Sequence, residues 1–115
     1  MKQAIFFLII SIGISSSSCK KNNSSSSYSP DCTGTTPTYK TEVSPLFSTY
    51  CATSGCHTSG SSQGPGALTT YAEIKNASFS IRTSIVSGRM PQGTTLTTTQ
   101  KNTIVCWIDA GVINN

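Results

Sequence analysis

CATSGCH, Cys51 to His57, places two thiols and the only imidazole of a 115-residue chain within one short stretch. Three chemistries use such a set. Covalent haem takes two thiols, one for each vinyl group, and a histidine directly after the second thiol to ligate the iron. A structural zinc ion takes the same groups plus a fourth nitrogen or sulfur donor. A disulfide closes Cys51 onto Cys56 and leaves His57 a bystander. The usual haem signature is C-x-x-C-H. Here Ala52, Thr53, Ser54 and Gly55 separate the thiols, giving C-x4-C-H, and Ser54-Gly55 supplies the flexibility for a looped-out turn.

A second iron ligand sharpens the haem reading. The chain has two methionines, Met1 and Met90. Met90 sits in SGRMPQG, after Gly88 and before Pro91, which places it on a constrained loop rather than on an apolar stripe. A thioether there can be presented to the iron face opposite His57. The competing reading for a lone methionine is core filler.

The N-terminus reads as an export signal. Lys2 precedes an apolar run from Ala4 to Ile14, and small residues lead to Cys19. The run is shorter than the roughly 20 apolar residues a bilayer-spanning helix needs. SSSC resembles the lipobox of bacterial lipoproteins, although Ser16 stands where Leu is usual. The expectation is a signal at 1–18, a lipidated Ser-rich linker at 19–30 beginning with Cys19, and one small domain at 31–115. The linker KKNNSSSSYSP has no apolar periodicity and cannot offset its ordering entropy by burial. A domain of that size builds a marginal core from protein alone and commonly leans on disulfides or a cofactor. The formal charge of +4 falls to +3 when Lys2 leaves with the signal. That is too mild and scattered for a nucleic-acid partner.

Five cysteines in an exported chain need an accounting. Cys19 goes to lipid, and Cys51 and Cys56 lie in the central motif. Cys32 and Cys106 remain, and in an oxidising compartment they are expected to pair.

The coarse pattern is all-α with long irregular connections. Val43, Leu46, Phe47 and Tyr50 fall at i, i+3, i+4 and i+7, one face of a helix with Pro45 in its first turn. Thr70 and Glu73 form a capping box, and Ile81 and Ile85, with Phe79 and Val86, mark a short helix that Gly88 ends. A second capping box, Thr97 with Gln100, opens a helix whose Ile104, Trp107 and Ile108 share a face and whose end is Gly111. On it Cys106 lies about 200° from Ile104 at 100° per residue. That is away from the apolar stripe, where a returning N-terminal strand carrying Cys32 is expected to be stapled.

The succession of VSPLF..YC...GCH, a Gly-rich loop, RMP and a final I..WI..G helix resembles a small class I cytochrome c domain over roughly residues 41–115. It is most similar to the lipoprotein-type domains with C-x4-C-H of Bacteroidetes-like bacteria. The resemblance implies three to four helices around one covalent haem c. It makes Cys51 and Cys56 the thioether positions, His57 the proximal iron ligand and Met90 the distal one. It also implies crossed N- and C-terminal helices, with Phe47 and Trp107 at their contact. The implied activity is one-electron transfer with redox partner proteins of the cell envelope, the domain being held to the membrane through Cys19 in the periplasm or at the outer membrane.

Two other readings stay open. Zinc is poorly served by adjacent Cys56-His57 and would draw Cys106 away from Cys32. A Cys51–Cys56 disulfide would make the protein a stapled, secreted lipoprotein binding module without haem. Enzymatic chemistry is not expected. The single histidine would be occupied by iron, and Asp31, Glu42, Glu73 and Asp109 show no paired spacing. Arg89, beside Met90, and to a lesser degree Arg82, are candidates for pairing with a haem propionate.

Overall fold

The computed structural model describes residues 28–115; the expected signal at 1–18 and the expected lipidation site Cys19 lie outside the described residues. A π-helical turn, Tyr39–Val43, runs directly into α1, Ser44–Tyr50. Then come α2, Tyr71–Asn76; α3, Ser78–Val86; and α4, Thr98–Asp109. The described residues contain no strand, and irregular chain fills residues 51–70 and 87–97. The described domain is all-α.

The helix ends follow local chemistry. Pro45 occupies the first turn of α1, where its missing N–H costs no intrahelical bond. Both capping boxes are formed: Thr70 and Glu73 exchange bonds at the start of α2, and Thr97 and Gln100 at the start of α4. Gly88 and Gly111 follow α3 and α4 with φ of +70° and +104°, the left-handed conformation that glycine adopts at little cost.

The centre of the core is α4. Its Ile104, Val105 and Trp107 are fully buried together with Val43, Phe47 and Ile74. Trp107 stacks on Tyr39 at 5.4 Å and 29°, and Tyr71 stands edge-on to both. Such offset aromatic arrangements add to the gain from burial alone. The chain after α4 folds back over this cluster. Trp107 Nε1 donates to the Ile113 carbonyl at 2.8 Å, Tyr71 Oη donates to that of Val112 at 2.7 Å, and the Tyr39 amide donates to Asn115 Oδ1 at 2.8 Å. The helix crossing on α4 is thus made by the π-helical turn through Tyr39. Phe47, expected at that contact, is buried in the same core cluster as Trp107 and also lines a cavity.

Cys32 is disulfide-bonded to Cys106, with Cα atoms 5.4 Å apart. The segment that carries Cys32 is irregular rather than a strand, and Tyr28, three residues ahead of the expected domain boundary, also contacts α4. Tyr28 Oη donates to Asn102 Oδ1 at 2.7 Å, the Asp31 amide shares that acceptor at 3.3 Å, and Lys101 Nζ stands 5.2 Å from the Tyr28 ring centre. On α3, Ile81 and Ile85 are buried as expected, but Phe79 is 81% exposed. At 100° per residue Phe79 lies about 200° from Ile81 and so takes the opposite face. Arg82, on the same outward side, forms a two-pronged ion pair with Asp109 at 2.6 and 2.9 Å, tying α3 to α4.

Candidate functional site

α1 ends by handing the chain to the motif. The amides of Cys51 and Ala52 both donate to the Phe47 carbonyl, at 3.0 and 2.8 Å. The four-residue spacer then closes on itself: the Cys56 amide donates to the Thr53 carbonyl and the His57 amide to that of Cys51, each at 3.0 Å. Gly55 makes the turn at φ +78°, a conformation that would strain a residue with a side chain. The two additional residues between the thiols are therefore taken up in a compact loop, and Cys51 and Cys56 remain on the wall of one cavity.

His57 is 8% exposed and is the buried polar side chain of the described core. Its Nδ1 lies 2.8 Å from the carbonyl oxygen of Gly66. A carbonyl can only accept, so Nδ1 carries the proton and the lone pair is on Nε2. This is the tautomer that ligates a metal through Nε2, with the second ring nitrogen held by a backbone acceptor. The acceptor is itself fixed. The Leu68 amide returns to the His57 carbonyl at 2.9 Å, and the Gly66 amide donates to the Gln63 carbonyl at 2.9 Å. Gly64 lies against the ring, and a Cβ built there would stand 3.7 Å from His57 Cε1.

Met90 approaches from the other end of α3. The amides of Arg89 and Met90 both donate to the Ser84 carbonyl, at 2.9 and 3.2 Å, and Arg89 Nη2 reaches Ser84 Oγ at 3.1 Å. One residue of α3 thus anchors the backbone and one side chain of the Met90 loop. Arg82 is engaged with Asp109, whereas Arg89 has no carboxylate partner among the described residues.

These elements enclose a cavity of about 500 Å³, within the range of roughly 300–1,000 Å³ common to ligand and cofactor sites. Cys51, Cys56, His57, Arg89 and Met90 all line it, with Phe47, Leu68, Ile81, Ile85 and Leu96 as apolar wall. Residues given separate roles from the sequence are brought together here. The contribution of Leu68 and Leu96 was not read from the sequence, since both lie in irregular chain without periodicity.

Burial pushes the Cys51 thiol up to about 11, with the neighbouring Cys56 adding to the effect. Cys51 and Cys56 are free thiols, not joined to each other. Among the described residues no three His, Cys, Asp or Glu side chains gather as a metal-holding group, and Cys106 is engaged with Cys32. Among the described residues no four-donor set for zinc surrounds CATSGCH. The chain matches no protein-family model, no curated protein and no solved structure.

Proposed function

We propose that the protein is a membrane-anchored, monohaem c-type cytochrome that transfers single electrons between partners in the bacterial cell envelope. The observation that carries this reading is the single cavity that gathers Cys51, Cys56, His57 and Met90 within an apolar wall. The residues present fit the group. Two free thiols line the cavity and would supply the thioethers, and the Gly66 carbonyl holds the Nδ1 proton of His57, which leaves Nε2 as the nitrogen that would meet the iron. Met90 offers a second, soft ligand from the opposite loop, and Arg89 is a cation without an acidic partner at the rim, suited to a carboxylate.

When bound, the haem supplies a one-electron iron couple whose potential His/Met ligation raises. The protein's own part is to hold and tune. The Gly66 carbonyl fixes the His57 tautomer and increases the basicity of Nε2. Phe47, Leu68, Ile81, Ile85 and Leu96 would pack against the bound group and keep water from it, adding buried apolar surface to the core of a small domain. His57 and Met90 would both hold the iron, which would leave no position for a substrate, and the protein is read as a carrier rather than an enzyme. The sequence reading supplies the location: Cys19 as lipid attachment point, with the domain in the periplasm or at the outer membrane.

The test is intact mass and a pyridine haemochrome spectrum of the full chain exported in a host with cytochrome c maturation. The expected result is a gain of one haem and a c-type spectrum, both lost in the Cys51→Ala/Cys56→Ala variant. Met90→Ala should keep the haem and lose the weak sulfur-to-iron absorption band. A colourless protein with a Cys51–Cys56 disulfide, two hydrogens lighter, would sink the cytochrome reading and leave a stapled binding module.

A further inference from the structure

The N-terminal chain joins the domain on one side of α4, and the large cavity lies on the other. Residues 28–32 run along α4 in its own direction. Tyr28 meets Lys101 and Asn102, the Asp31 amide donates to Asn102 Oδ1, and Cys32 is bonded to Cys106. Asn102 and Cys106 each lie about 200° round the helix from Ile104 at 100° per residue, and Ile104 is fully buried. No residue of α4 lines the cavity, whose wall ends at Leu96. Phe47, Leu68, Ile81, Ile85 and Leu96 belong both to that wall and to the core cluster that holds Ile104. α4 therefore stands between the incoming chain and the site.

We infer that the outer face of α4, with residues 29–36 upon it, is apposed to a lipid surface, and that the cavity opens toward the aqueous space. This rests on the anchoring at Cys19 in the proposed function and adds which side faces the lipid. The reach from that anchor is short. The nine residue steps from Cys19 to Tyr28 span at most about 30 Å when fully extended. A domain of roughly 90 residues is itself about 30 Å across, and a path over its surface from one side to the other is about 47 Å. A chain of nine steps fixed at Tyr28 is too short to let the cavity side lie on the lipid. The apposed face does not supply the attraction. Its exposed residues include Ser29, Asp31, Thr33, Gly34, Thr35 and Thr36, which offer no large apolar group to insert. Lys101 beside Tyr28 adds one cation, against the roughly four to eight that bind anionic headgroups. The tether alone sets the orientation. An electron then reaches the cavity from a partner in the aqueous phase rather than from a reductant dissolved in the bilayer.

The test places the full lipidated chain, haem-loaded and in its reduced, diamagnetic state, on nanodiscs of phosphatidylethanolamine and phosphatidylglycerol. A fraction of the lipids carries a gadolinium chelate on the headgroup, and NMR relaxation of the backbone amides reads their distance from the lipid surface. Enhancement at Thr33, Gly34 and Thr36 should be at least about tenfold that at Gln63, Gly64 and Ser80, because the two sets lie across a domain roughly 30 Å wide and the effect falls steeply with distance. A variant with about eighteen Gly and Ser residues inserted between Ser26 and Ser27 has a reach of about 90 Å, enough to pass round the domain, and should bring the two sets within about threefold of each other. Wild-type enhancement that is equal on the two sides, or stronger at Gln63 and Gly64, overturns the inference. An insertion variant that keeps the wild-type pattern also overturns it, because adsorption of the surface rather than the tether then sets the orientation. A chain that intact mass shows to be without acyl groups overturns the anchor and the orientation together. A lipidated chain with the expected pattern but no c-type spectrum supports the orientation and overturns the haem reading alone.

Discussion

Burial raises the Cys51 thiol to about 11 from an ordinary 9.0, so the folded protein without haem binds this proton more tightly than the unfolded chain does. Between those two values the unfolded state releases the proton and the folded state retains it. The stability tied to Cys51 is therefore fully present below pH 9 and is lost as pH rises toward 11. Two pH units correspond to at most about 2.7 kcal/mol. Denaturant unfolding of unloaded protein between pH 8 and 11 should show this decline, and Cys51→Ala should flatten it. In haem-loaded protein the sulfur would be a thioether and the decline should be absent. The Cys51 position was legible in the sequence because spacing alone marks it. The Gly66 carbonyl that orients His57 was not, because a backbone acceptor leaves no trace in residue identity. The Gly-rich loop was the available signal, and it read only as flexible.

The elements that the sequence marked best are those whose determinants are local. Thr70 with Glu73 and Thr97 with Gln100 are pairs three residues apart, and both boxes form. Thr97→Ala removes the acceptor for the Gln100 amide and should destabilise the protein by about 1 kcal/mol in chemical denaturation. Its effect should exceed that of Thr70→Ala, because α4 carries Ile104, Val105 and Trp107 into the core while α2 carries Ile74. Gln100 also reaches Tyr50 Oη at 3.0 Å, which links the start of α4 to the end of α1 just before Cys51. Phases set by few apolar residues were read less well. α3 has only Ile81 and Ile85 buried, too little periodicity to place Phe79. Long-range pairs such as Tyr39 with Trp107, or Arg82 with Asp109, have no local signature at all. Only the folded chain shows that Tyr39 stacks on the tryptophan.

At the scale of the molecule, the Cys32–Cys106 bridge spans a sequence separation of 74 residues. Closing a loop of that length lowers the entropy of the unfolded chain by an amount worth about 4.5 kcal/mol. That is a large share of the 5–15 kcal/mol typical of whole domains. The Cys32→Ser/Cys106→Ser variant without haem is expected to be largely unfolded at 37 °C by circular dichroism. With haem attached it should fold but melt earlier, since the apolar wall then has a partner. The pairing was legible by counting cysteines, whereas the docking of Tyr28 on Asn102 and Lys101 was not, because a lone tyrosine in a serine run looks like linker.

The same bridge also decides where mechanical load travels. Every residue lining the large cavity, from Phe47 to Leu96, lies inside the covalent loop between Cys32 and Cys106. A pull applied ahead of Cys32 passes through the two sulfurs into α4 and leaves the intervening chain slack. Tension between the N-terminal side and the chain after Cys106 therefore bypasses CATSGCH and the Met90 loop, and the cavity keeps its shape while the protein is tugged.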